Sequence, residues 1–336
     1  MSSELQSLIR LRSVDKDNIV VAASFDDDDA NYPRTNIYVF RNGDWQVYLH
    51  RYSFTSLGAF ENEKLVYFGI VRDDNEPNKR NIINVINGDL IDLFDSTKIS
   101  DRFENGLAGY IYNAKFIDGT IFAVGANGQF WLGSNSGNEL RTELLQISDL
   151  QTKLTNLSMT QSITEATAKF IEELVKSEAR HFWSLDGLSH DDVYACGEWR
   201  LIGHWDGKTL SRVESRPRLR LHRVLAETRD RIWICGDEST LMLGNARDGF
   251  GYFEVPGEEK DFTAMTLFQN KLVLLSFPNE LHTFDNGRFG RLVPDIPIRD
   301  IMDIQAVDDV LWVMALKGLY RFDGTRWEQI DFPGQL

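Results

Sequence analysis

The sequence predicts an all-β chain: a seven-bladed β-propeller of four-stranded antiparallel blades, with a helical-hairpin insertion between blades 3 and 4. Three observations carry this. Apolar runs of about four residues recur along the chain, each bounded by turn residues, as strands of an antiparallel sheet require. Glycine-bearing hairpins recur at Gly207, Gly249, Gly287 and Gly324, spaced by 42, 38 and 37 residues. A period of about 40 residues with four strands to a unit is the signature of a propeller blade.

The unit is clearest at Asp191–Gly207, where an acidic turn leads into Val193-Tyr194-Ala195-Cys196, then Gly197, then Leu201-Ile202-Gly203-His204-Trp205 and an Asp-Gly dipeptide. Six more runs align with the first of these. They are Ile19–Ala22, Leu65–Phe68, Ile121–Val124, Ile232–Cys235, Leu272–Leu275 and Leu311–Met314. Asn-Gly or Asp-Gly precedes the last strand in six of the seven units, as in Asn42-Gly43 and Asp323-Gly324. Such dipeptides suit a type I′ hairpin, whose two central residues both need positive φ. The blades fall at roughly 8–50, 52–95, 108–146, 181–214, 219–256, 261–295 and 300–332, in one domain spanning 1–336, with residues 147–180 inserted. Each unit holds all four of its strands, so the ring is expected to close by packing of whole blades.

Composition narrows the function. The formal charge is −15, from 51 acidic against 36 basic residues. Such a surface repels phosphate backbones and anionic lipid, so neither nucleic acid nor membrane is an expected partner, whereas a basic protein would be steered in. No run of 18 apolar residues is present, the N-terminus MSSELQSLIRLRSVDKD lacks an apolar secretory core, and two cysteines make no disulfide framework. A cytoplasmic location is the expectation.

Departures from a repeat map to loops, often on a binding face. In a four-stranded meander the second-to-third-strand loops and the links between blades emerge together, here called the loop face. Two long acidic loops fall there. One carries Asp26, Asp27, Asp28, Asp29 and Tyr32; the other carries Asp73, Asp74 and Glu76. The 147–180 insertion joins them. Ser148-Asp149-Leu150-Gln151 and Ser162-Ile163-Thr164-Glu165 both fit the capping-box pattern, and Ile163, Phe170, Ile171, Leu174 and Val175 form a stripe at helical spacing. The stripe can pack on the rim of its own ring or dock a partner. A basic link with Arg216 and Arg218 reaches the same face. These residues are the candidate partner-binding set.

Catalytic signatures are absent from the text. The six histidines stand at 50, 181, 190, 204, 222 and 282, none at zinc-protease spacing, and Cys196 and Cys235 read as buried apolar side chains. Four consecutive aspartates lack the alternation and central glycine of a calcium loop. No phosphate loop, dinucleotide fingerprint or nucleophile elbow occurs, so no catalytic residue, metal or cofactor is assigned. The first strands, which line the central channel, read as mostly apolar.

The text of units four and five resembles the degenerate repeats of bacterial, WD-like seven-bladed propellers, D-[VI]-[WY]-A-V-G-x-x-G-x-[IL]-x-[HY]-[WY]-D-G, and a looser resemblance covers nearly the whole chain. Gly203-His204 and Trp205-Asp206 resemble pieces of a WD repeat, although the two pairs stand far apart in that family. The resemblance implies a non-catalytic interaction protein, of the kind that serves as a toxin immunity or inhibitor protein. The competing readings are a hydrolase or lyase with a channel site, and a sensor of a small ligand in the channel.

Overall fold

The computed structural model describes residues 5–26, 34–62, 64–72, 80–84, 90–91, 111–136, 139–146, 181–213 and 219–334. These form an all-β propeller. The described residues make seven four-stranded antiparallel sheets, each from strands consecutive in the chain. Their first strands are Gln6–Asp15, Ser53–Asn62, Ile111–Ile117, Phe182–Ser189, Leu221–Thr228, Phe262–Phe268 and Ile301–Val307. Each first strand neighbours the first strands on either side, and the last returns to the first, so the ring is complete.

The second strands are buried over nearly their whole length; Asp192–Gly197 is buried at every residue. A strand covered on both faces by neighbouring blades reads as a continuous apolar run instead of alternating. The core accordingly lies between blades, in layers such as Phe130, Val193, Ala195 and Trp205 between the third and fourth. Each fully buried Val, Leu, Ile or Phe contributes about 1.5–3 kcal/mol. Gly197 and Gly236 close two of these strands because a Cβ there would sit 1.8 Å from the His181 carbonyl oxygen and 2.1 Å from that of Arg220.

The hairpins divide into two kinds. Asn42-Gly43 (φ 49° and 95°) and Asn286-Gly287 (φ 47° and 79°) have the double positive φ of a type I′ turn. At Asp206-Gly207 and Asp323-Gly324 only the glycine has positive φ, which corrects the single turn type expected from sequence. The aspartate acts there through its side chain. Asp206 Oδ1 accepts from the Lys208 and Thr209 amides, and Asp323 Oδ1 from the Thr325 hydroxyl and the Thr325 and Arg326 amides.

The ring closes without a shared strand. The Leu8 amide donates to the Leu316 carbonyl at 2.9 Å, and Leu8, Leu11, Trp312 and Met314 share one buried layer. After the last strand the chain lays Phe332 against Tyr38 and Trp45, at centroid distances of 4.3 and 5.2 Å.

Candidate functional site

Every first strand carries a one-residue β-bulge at the same place. The extra residues are Ile9, Thr55, Tyr112, Trp183, His222, Thr263 and Met302. A bulge re-aims the side chains beside it. The residues that follow it, Arg10, Ser56, Asn113, Ser184, Arg223, Ala264 and Asp303, hold equivalent register positions around the ring. Two residues further on stand Arg12, Gly58, Lys115, Asp186, Leu225, Thr266 and Gln305. Between these tiers runs a ring of apolar residues from Leu11 to Ile304.

The channel is therefore charged, which overturns the apolar lining expected from sequence. Arg10, Arg12, Lys115 and Arg223 line a central cavity of about 610 Å³. Lys115 Nζ lies 2.9 Å from Asp186 Oδ1, and Arg223 Nη2 lies 2.7 Å from Asp303 Oδ1. Arg10 donates to the Thr55 and Ile9 carbonyls at 2.9 and 2.7 Å. The Arg12 side chain makes no hydrogen bond or ion pair with a described residue. Burial pushes the Arg12 guanidinium and the Lys115 ammonium below their ordinary pKa values, against the pull of Asp186.

Other polar residues of the two tiers act as staples between blades. Ser56 and Ser184 accept from the Ala114 and Val224 amides, and Thr266 accepts from the Ala306 amide. Gln305 donates to the Leu11 carbonyl and accepts from the Ser13 amide across the seam. At the loop-face end, Tyr112 and Trp183 pack ring on ring at 4.4 Å, with His181 5.6 Å from Trp183.

Of the sequence-predicted partner residues, Asp26 alone lies among the described residues. It is spoken for: Lys317 Nζ donates to Asp26 Oδ2 at 2.5 Å and to the Gln6 carbonyl, while the Ser7 hydroxyl donates to Asp26 Oδ1 at 2.6 Å. These bonds hold its carboxyl below the usual range and tie the first blade to the last. Asp27, Asp28, Asp29, Tyr32, Asp73, Asp74, Glu76, Phe170, Leu174, Arg216, Arg218 and the 147–180 hairpin lie outside the described residues.

Three loop-face residues escaped the sequence reading. Trp199 is 55% exposed in a short turn between strands, with φ 51°, a left-handed conformation that is strained for a bulky side chain. Phe277, 70% exposed, occupies the equivalent turn two blades on, and Met302 is 51% exposed at a bulge. For Trp199 and Phe277 the sequence signal was an aromatic in a turn where polar residues are usual; Met302 carried none.

Among the described residues the histidines form no nucleophile arrangement. Ser276 Oγ and His282 Nε2 are 2.9 Å apart, but Glu280 approaches the same ring nitrogen, at 3.5 Å, and itself pairs with Lys260 and Arg291. A catalytic carboxylate would orient the opposite nitrogen. His204 Nε2 pairs with buried Asp192 at 2.9 Å, and the Trp205 indole donates to the His190 carbonyl. Cys196 and Cys235 are free and buried, and burial pushes the Cys235 thiol up to about 12. Cys196, His204, Trp205 and Asp206 are thus absorbed by the scaffold, whereas Trp199 of the same stretch is not.

By fold the chain is a β-propeller of four-stranded antiparallel blades. The WD40 propeller domain of Doa1 superposes with a TM-score of 0.65 at 11% identity, over 98% of this chain and 95% of that one. YCF48 from Cyanidioschyzon merolae gives 0.61 at 11% identity, over 96% and 97%. The propeller domain of the Trilobed protease from Pyrococcus furiosus, described as having an open velcro topology, gives 0.59 at 10% identity, over 99% and 98%. No protein-family model matches. In sequence the chain is similar to the immune protein Tsi7 of Pseudomonas aeruginosa strain PAO1, 26% identical over 151 residues. That match takes in 45% of this chain and 49% of the relative, about half its length.

Proposed function

We propose that the chain is a non-catalytic, cytoplasmic protein-binding propeller that acts as an immunity or inhibitor protein, engaging a basic partner through its loop face. The likeness to an immune protein over 151 residues carries this reading. Two features support it. Trp199, Phe277 and Met302 stand exposed on the loop face, and aromatic and methionine side chains are the usual anchors of a protein interface. The net charge of −15 suits a cationic partner, whose encounter it would accelerate.

Affinity capture from the native host tests the reading, with the wild-type chain beside a Trp199→Gly, Phe277→Ala double variant. A specifically retained basic protein, released by the double variant, is the expected result. Retention of no protein, or equal retention by both chains, would count against the proposal. Kinetics with the captured partner test the electrostatic part. Neutralising Asp27, Asp28 and Asp29 should slow association while leaving dissociation nearly unchanged, and Asp26 is left intact because it holds the seam.

A further inference from the structure

We propose that the central channel binds a small polyvalent oxyanion, a phosphate- or carboxylate-bearing metabolite, through Arg12 together with Lys115 and Arg223. The charge balance of the channel is the first argument. Four cations face two carboxylates there, Asp186 and Asp303, in a chain whose net charge is −15. A positive, walled cavity inside an acidic molecule focuses its field on anions.

Pairing is the second argument. Lys115 and Arg223 each hold a carboxylate, and Arg10 is bonded to backbone carbonyls. Arg12 has no such partner among the described residues; Asp186 and Asp303 reach it only at longer range. A partly buried guanidinium without a carboxylate of its own leaves its planar fork open to the channel, and a bidentate oxyanion is the ligand that fork matches.

Size and lining are the third. The channel cavity is about 610 Å³, within the range of small-molecule sites, roughly 300–1,000 Å³. Two buried polar atoms on its wall, Trp183 Nε1 and Asn113 Oδ1, have no hydrogen-bond partner among the described residues, so a donor and an acceptor remain for the ligand.

The test titrates the full chain with pyrophosphate and, separately, with citrate, against chloride at matched ionic strength, following melting temperature and heat of binding. Saturable stabilisation by either anion is expected, and the effective one tells phosphate from carboxylate chemistry. Arg12→Gln should weaken that binding by roughly tenfold or more, the scale of one lost charge-assisted contact. It should leave the ligand-free melting temperature unchanged or raised, because an unpaired charge has gone. Arg12→Lys keeps the charge and loses the fork, so it should fold and bind more weakly than wild type. The proposal is overturned if neither anion stabilises the wild type beyond chloride, or if either variant binds as tightly as wild type. Loss of folding in Arg12→Gln would make Arg12 a structural residue and would likewise overturn it.

Discussion

Arg223 Nη2 lies 2.7 Å from Asp303 Oδ1, although the strands that carry them are not neighbours in the ring. The first strand of the sixth blade stands between them. At the matching register position that strand has Ala264, whose side chain is too short to block the reach. The ion pair thus spans three blades across the channel wall.

This pair should be coupled in stability. Removing one partner leaves a half-buried charge unsatisfied, so Asp303→Asn and Arg223→Met should each cost about 1–3 kcal/mol. The double variant should cost less than their sum. Urea denaturation of the four chains gives the coupling directly, and additive losses would mean that the pair contributes nothing of its own.

The seam between the first and last blades depends on Phe332. Its ring packs against Tyr38 and Trp45, while the Trp45 indole donates to the Asp331 carbonyl at 3.0 Å. Phe332→Ala should destabilise the chain by about 1–3 kcal/mol, less than a fully buried phenylalanine because this one is only partly buried. Denaturation followed by tryptophan fluorescence checks the loss. An unchanged midpoint would show that the first and last blades hold without this segment.

Both thiols should be inert in the folded chain. Burial raises the pKa of Cys196 and Cys235, the latter to about 12, so almost no thiolate exists at pH 8. A disulfide reagent should titrate neither cysteine until denaturant is added, and then both. Rapid labelling of the native protein would contradict the buried placement.

His282 should make stability depend on pH in one direction. Burial lowers its pKa below the ordinary 6.5, against the pull of Glu280 and aided by the charges of Lys260 and Arg291. Below about pH 6.5 the unfolded chain then binds more protons than the folded one, so stability is fully present above that pH and eroded as the pH falls through it. Wild type should therefore lose more stability between about pH 7 and 5 than His282→Gln does, by denaturation at each pH. Parallel losses would show that His282 ionises as freely folded as unfolded.

Much of the fold was legible because the second strands are covered on both faces. Runs such as Val193–Cys196 and Leu311–Met314 are apolar at every position, so they align without regard to facing. The hairpin glycines then supplied the period. The channel was not legible in the same way. In Gln6–Asp15 the bulge at Ile9 breaks the two-residue alternation, so the polar phase of Arg10 and Arg12 was not connected with that of Lys115 or Asp303. The signal was present as Arg-x-Arg, Asn-x-Lys, Ser-x-Asp and Asp-x-Gln in four of the first strands, but needs the register to be read as one surface. The pairing of Asp26 was not legible for a different reason. Its neighbours in sequence are aspartates, whereas its neighbour in space is Lys317, contributed by the far end of the chain.

The repeated bulge separates two kinds of physical constraint. Behind it, the ring from Leu11 to Ile304 must stay apolar for adjacent blades to pack. In front of it, each blade contributes one slot per tier, and arginine, serine, asparagine, alanine and aspartate all occupy the same slot without disturbing that wall. The lining can thus be rewritten one blade at a time, which lets a single scaffold carry channels of opposite polarity.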